Sequence, residues 1–323
     1  MIWSRDEWHA RLQAHLGRVA EHADAFVDRR SREQKHPVHD FLFTYYSFAP
    51  ARLKQWVPPL GVGLEITAAD LEACPWLQGE RFIRDADTLR LDDRRIIARE
   101  RDFATWVATL CARILGRAGR FACFGLHEWA MVYRQPREQV RHQGYELRLS
   151  PEELAAFVES LPVCCSHYDA FRFFTPDARP LNLLQPTLDT RPDLEQPGCL
   201  HANMDLYKWA GKLWPWTGSD LIGECFHLAL AGRDLDMRAS PYDLAALGYE
   251  PLKIETAVGR LQYESEQRDL AAKSAPLRAR LRDVCQQIAT TLSVPPVNHP
   301  PPHLLAQPDE GALRQVQRPV LQH

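Results

Sequence analysis

This sequence predicts a mainly α-helical chain with a small β-sheet (α+β), folded as a single large domain. Three observations carry that reading. Apolar residues recur at spacings of three, four and seven in several long segments. Strand-like alternation is short and confined to residues 62–92 and 145–150. No flexible linker interrupts the chain before residue 292, so residues 1–292 read as one globular unit. The length of 323 residues suits one large domain or two ordinary ones.

The elements follow in order. Trp8, Leu12, Leu16 and Val19 set a helix over 4–30. HPVHDFLFTYYSF (36–48) is dense in aromatics, and Pro37 suits a first helical turn. A short helix over 50–57 stops at Pro58 and Pro59. VGLEI (62–66), RFIRDA (81–86) and TLRLD (88–92) read as strands. Helical period returns over 96–117 through Ile97, Trp106, Leu110 and Ile114. YELRLS (145–150) alternates like a strand. Ser150-Pro-Glu-Glu153 forms a capping box that opens a helix at 151–161. CCSHYDAFRFF (164–174) reads as extended, and 175–199, with five prolines, as a long loop. Helices follow at 200–213, 219–232, 241–247 and 257–291. Residues 293–323 are rich in proline and read as a disordered or polyproline-like tail.

The net charge of −3 excludes a protein whose whole surface is a polycation for nucleic acid; a local basic groove stays open. The eight cysteines form no CxxC pair, so a zinc ribbon and a thioredoxin-type motif are both excluded. The N-terminus is charged from Arg5 onward, without a signal-peptide core, and no apolar run approaches a membrane span. The expected location is the reducing cytoplasm, with no membrane partner.

Two segments have an unusual amphipathicity. In LHANMDLYKWAGKL (200–213), His201, Asp205, Lys208 and Lys212 fall within an arc of roughly 60° on helical geometry. Apart from Asn203, the rest is apolar, Tyr207 and Trp209 included. In 123–134, Cys123, His127 and Arg134 share an arc of about 40°, with Glu128 standing about 100° away. Burying an unpaired charge is costly, so these strips should face one another or a shared cavity. The alternative is a narrow solvent-facing rim or a structural hydrogen-bonder.

Other constellations are weaker. His36 and His39 are three apart and can chelate a metal from one helix face. Capping and aromatic packing explain them as well. His167 and Asp169 share one strand face if 164–174 is extended, which suits a tuned general base or a plain surface pair. Ser240, Pro241 and Asp243 read as a helix start, which leaves Asp234, Asp236 and Arg238 on one face if that stretch is extended. EQPGC (195–199) offers N–H groups to an anion at the start of the lysine-bearing helix. A metal held by His127, His201, Asp205 and a cysteine ranks below an anionic ligand, because Lys208 and Lys212 would repel a cation. No cofactor is therefore predicted, and a divalent metal is the lesser alternative. Trp209, Trp214 and Trp216 beside these basic groups suit an unstacked base, and core packing explains Trp209 equally.

CFGLHEWAMVYR (123–134) resembles a bacterial family labelled 3-methyladenine DNA glycosylase. So do HPVHDFLFTYYSF, DAFRFFTPDARPLN (169–182), EQPGCLHANMDLYKWAGKL (195–213), DMRASPYDL (236–244) and IETAVGRLQYESEQ (254–267). The resemblance covers most of residues 4–290. It implies a hydrolase that excises a modified base from DNA in repair, with a pocket for the extruded base and a carboxylate beside it. Leu60-Gly-Val-Gly63 lacks the proline of a helix-hairpin-helix glycosylase.

The residues expected to carry such chemistry are Asp205, His127, Glu128 and Lys208 as catalytic groups. His201, Lys212, Arg134, Tyr207, Trp214, His167 and Asp169 are expected to bind substrate. The partner is DNA or a nucleotide-like small molecule. Two other readings remain open: a hydrolase or lyase, metal-dependent or not, on a small phosphorylated or nucleoside-like substrate, and a non-catalytic binding protein whose polar strips are buried ion-pair networks.

Overall fold

The computed structural model describes residues 1–140 and 144–291. The expected proline-rich tail at 293–323 lies outside the described residues. Helix α1 (Arg5–Ser31) starts where the Ser4 hydroxyl accepts the Glu7 N–H, with Asp6 and Glu7 in its first turn and Arg29 and Arg30 in its last. Those charges oppose the helix dipole at both ends. Its buried positions, Trp8, Leu12, His15, Val19, Ala23 and Phe26, step by three and four along one face.

The sheet has the order β1-β2-β4-β3, built from Ile2–Trp3, Gly63–Glu65, Phe82–Asp85 (β3) and Thr88–Leu91 (β4). β1 runs parallel to β2, and the other pairs are antiparallel. Asp85 pairs with Thr88 across a tight turn in which Ala86 has φ +50°. Sheet and early α1 enclose one apolar cluster through Trp3, Trp8, Trp56, Leu64 and Leu89.

α2 (Phe41–Thr44) and α3 (Pro50–Leu53) bury Leu42, Phe43 and Leu53 in the main core, α4 (Ala68–Ala73) packs Leu71 against the sheet-side cluster, and α5 (Ala98–Leu115) follows the sheet. Then come α6 (Leu126–Ala130), α7 (Pro151–Glu159), α8 (Tyr168–Phe171) and α9 (Arg191–Leu194). The main core is a packed set of α5, α10 (Leu200–Lys212), α11 (Ser219–Ala239) and α12 (Ala257–Thr290). α10 is its centre: every residue in it except Lys208 and Lys212 is buried. α10 and α11 approach so closely that a β-carbon at Gly232 would stand 2.7 Å from Met204 Cγ.

Several expectations are corrected. The segment 123–134 is helical only over Leu126–Ala130, because Phe124, Gly125 and Arg134 adopt positive φ (+45°, +74° and +52°). Arg134 therefore leaves the His127 face. YELRLS forms no named strand, only a bridge from Leu147 to Tyr242. Residues 164–174 are not extended throughout, since α8 begins directly after His167. No α-helix spans 241–247. α11 instead runs on through Asp234, Asp236 and Arg238, and Ser240 caps its end by donating to the Met237 carbonyl at 2.7 Å.

Candidate functional site

Two buried polar networks meet at α10. The first joins α6, α10 and α11. His127 Nε2 lies 2.8 Å from Asp236 Oδ1. Arg233, one turn before Asp236, donates from Nη1 to Asp236 Oδ2 at 2.8 Å and to Glu128 Oε1 at 3.2 Å. Its Nη2 donates to the Pro37 carbonyl at 3.3 Å. The His201 ring lies edge-on to His127 with centroids 4.5 Å apart, and its Nε2 is 4.0 Å from Asp236 Oδ2. Gly125 permits the tight entry to α6 that aims His127 inward; its φ of +74° is costly for any residue with a β-carbon.

The electrostatics follow from this packing. Burial alone would lower His127, but the charge and hydrogen bond of Asp236 outweigh it and raise its pKa. Asp236 is held well below the usual carboxylate range: burial opposes this, and His127, His201 and Arg233 prevail. Burial and the neighbouring His127 push His201 down to about 3, so at neutral pH its ring is uncharged.

The second network surrounds Asp205. Arg191 clamps three carboxylates: Nη2 to Asp205 at 2.7 Å, Nε to Glu195 at 2.7 Å and Nη1 to Asp169 at 3.0 Å. His167 Nε2 lies 3.2 Å from Asp205 Oδ2. Lys208 donates to Asp169 at 2.7 Å and lies 3.8 Å from Asp205. Burial would raise Asp205, and Lys208, His167 and Arg191 together pull it well below its ordinary value.

The polar strip of α10 therefore divides. His201 joins His127, while Asp205 and Lys208 join His167 and Asp169. Lys212 is exposed beside the Trp209 and Phe103 rings, and partial burial with Lys208 nearby lowers its pKa. Arg134 pairs with Glu159 at an exposed position, away from both networks. Tyr207 is a core residue among Tyr46, Phe48 and Phe226. Trp214 packs between the two apolar clusters under the Arg52 guanidinium.

Sequence reasoning did not single out Arg233, Arg191 or Glu195, and it ended the helix at 232, short of Asp236. The available signals were Arg191 and Glu195 four apart, and Arg233 and Asp236 three apart, each the spacing of a helical ion pair.

Two openings adjoin these networks. A cavity of about 20 Å³, enough for one water or ion, is lined by His127, His201 and four cysteines. A groove of about 1020 Å³ runs along residues 26–50 and reaches Arg233. Its walls carry Phe26, Phe41, Phe43, Phe48 and Tyr145, with Arg30, Lys35, Glu33 and Asp40. The Arg233 guanidinium lies 4.4 Å from the Phe41 ring centroid.

Comparison with family models, curated proteins and solved structures finds no match for the chain. Among the described residues, the group spaced to hold a metal ion is His127, His201 and Asp236. Arg233 and His127 already engage both oxygens of that carboxylate, so a cation there would displace an ion pair. His36 and His39 stack on each other. His36 Nδ1 accepts the Val38 and His39 N–H groups, and His39 Nε2 meets the Tyr249 hydroxyl at 3.1 Å. This is the capping and packing role rather than chelation. No helix among the described residues is long and apolar enough to cross a membrane.

Proposed function

We propose that the protein is a hydrolase of an N-glycosidic bond, acting on a nucleoside-like ligand seated in the groove that Arg233 closes. The observation that carries this reading is the position of Arg233. It faces the groove, and behind it lie Asp236 and His127, a buried acid–base pair. Aromatic walls suit a base, and Arg30, Lys35 and Arg233 suit the adjoining phosphate. Asp40 and Glu33 are the carboxylates on the wall. One of them would stabilise the oxocarbenium-like state or activate water. The family resemblance points to a modified base extruded from DNA; a free phosphorylated nucleoside has the same chemistry.

The test is base release. Alkylated duplex DNA and free nucleotides are incubated with the protein and with Lys35→Glu, an exposed change. Release from DNA, weakened in the variant, supports the glycosylase form. Turnover of free nucleotides alone supports the small-molecule form. Binding in the groove without turnover leaves a binding protein. Neither binding nor turnover overturns the proposal. The non-catalytic reading draws on one further observation, the Asp205 network, in which Arg191, His167 and Lys208 surround the carboxylate.

A further inference from the structure

Three segments far apart in the chain deliver metal-ligating side chains to one point. His127 comes from α6, His201 from α10 and Asp236 from α11, and one ligand atom of each lies within 4.8 Å of the other two. All three residues are buried. Two imidazoles and one carboxylate form a donor set that holds zinc or ferrous iron and leaves coordination positions open.

Two further observations mark this point as a binding place. The first is His201. Among the described residues its ring packs against the rings of His127 and His167, with centroids 4.5 and 5.5 Å away, and Asp236 Oδ2 stands at 4.0 Å, beyond hydrogen-bond reach. An imidazole held by ring packing keeps a nitrogen lone pair for an ion. The second is the cavity of about 20 Å³ that His127 and His201 border, room for one ion or water. On the same wall the buried Tyr263 hydroxyl has no hydrogen-bond partner, and an ion-bound water would supply one.

Arg233 does not bar such an ion. It holds Asp236 Oδ2 at 2.8 Å, whereas His127 faces the other oxygen, Oδ1, at 2.8 Å. The pair that an ion replaces is therefore His127–Asp236, whose proton passes to solvent on ligation. Arg233 stays on Oδ2 as the donor that orients a ligating carboxylate. Asp236 and Glu128 set two carboxylates against this one guanidinium, so the local charge admits a divalent cation. Ligand atoms around a zinc or ferrous ion stand about 3 Å apart, close to the present His127–Asp236 separation, and His201 has to close by about 1 Å.

We propose that His127, His201 and Asp236 bind one divalent transition-metal ion, zinc or ferrous iron, at the crossing of α6, α10 and α11. The cysteines on the cavity wall are not its ligands, since among the described residues no cysteine belongs to a group of this spacing. The site does not depend on the groove's being a substrate site.

The experiment is metal analysis of the full-length protein, purified without oxygen, and again after chelator treatment and titration with zinc or ferrous iron. About one ion per chain is expected, and the metal retained through purification tells zinc from iron. His201→Gln and Asp236→Asn lower the metal content at least five-fold. His22→Gln and His227→Gln, in the hollow that also holds His39, leave it unchanged. Should Asp236→Asn fail to fold, His201→Gln and the native protein still decide. Cobalt loading of the native protein gives visible bands of nitrogen and oxygen ligation without sulfur-to-metal charge transfer. Strong charge-transfer absorption, no stoichiometric metal after titration, or full metal content in His201→Gln overturns the proposal.

Discussion

Arg233 and Asp236 sit one turn apart on α11, joined at 2.8 Å, and both side chains are almost wholly buried. The same guanidinium holds Glu128 and borders the open groove. One residue thus links the groove to the histidine-bearing interior.

Replacing Arg233 with Gln should remove the guanidinium that Glu128 and Asp236 share. Breaking a buried pair of this kind costs roughly 3–5 kcal/mol. Urea unfolding is the measurement, and a loss below 1 kcal/mol would mean that His127 alone neutralises Asp236. Arg233→Lys should keep most of the stability and lose affinity for nucleotides in the groove, since one ammonium cannot reproduce the fork.

Arg191→Met strips the clamp from Asp169, Glu195 and Asp205. A destabilisation of about 3–5 kcal/mol is expected. Arg134→Ala, at an exposed pair with Glu159, should change stability by less than about 1 kcal/mol. Equal effects in the two variants would contradict the assignment of Asp205 to a structural network.

Stability should fall as the solution is acidified from about pH 6.5 to about pH 4, in part through His39. Burial and the nearby His36, His22 and Arg29 push its pKa down to about 4, and Asp40 only partly opposes this. Asp234, Glu266, Asp269, Lys273 and His227 line the same hollow, and the Tyr249 hydroxyl touches the ring. The sign follows from linkage. Within this window the unfolded chain binds the proton and the folded ring resists it, so protonation favours unfolding. Above about pH 6.5 the contribution is complete. Unfolding curves at pH 7 and pH 5 should differ less for His39→Gln than for the native chain.

Gly125→Ala forces a β-carbon onto a residue at φ +74°, 3.4 Å from the Tyr263 ring and hydroxyl. A cost of about 1–2 kcal/mol is expected, read as a melting temperature lower by several degrees. An unchanged melting temperature would mean that the entry to α6 relaxes freely.

Much of the site was legible as separate pieces. His127, Asp205 and Lys208 stood out because charge on an otherwise apolar helix must find partners, and each has found one; His201, neutral at pH 7, packs edge-on against the His127 ring instead. The partners were harder to read. Asp236 sits beyond where the apolar period of α11 fades, so the helical reading stops at 232. Arg191 lies in a proline-rich segment whose single turn carries no periodic signal. His167 and Asp169 were grouped correctly for the wrong local reason: they meet through Arg191, Lys208 and Asp205 rather than along a strand.

The sequence by itself determined the class of fold, the long helices and the short strands. Those follow from the period of apolar residues, and that period is local. Which charges became partners, and which thiols came to share a void, was decided only by tertiary packing. Burial removes water as the alternative partner, so each polar group must accept whatever neighbour the crossing of α6, α10 and α11 brings within reach, however distant in the chain.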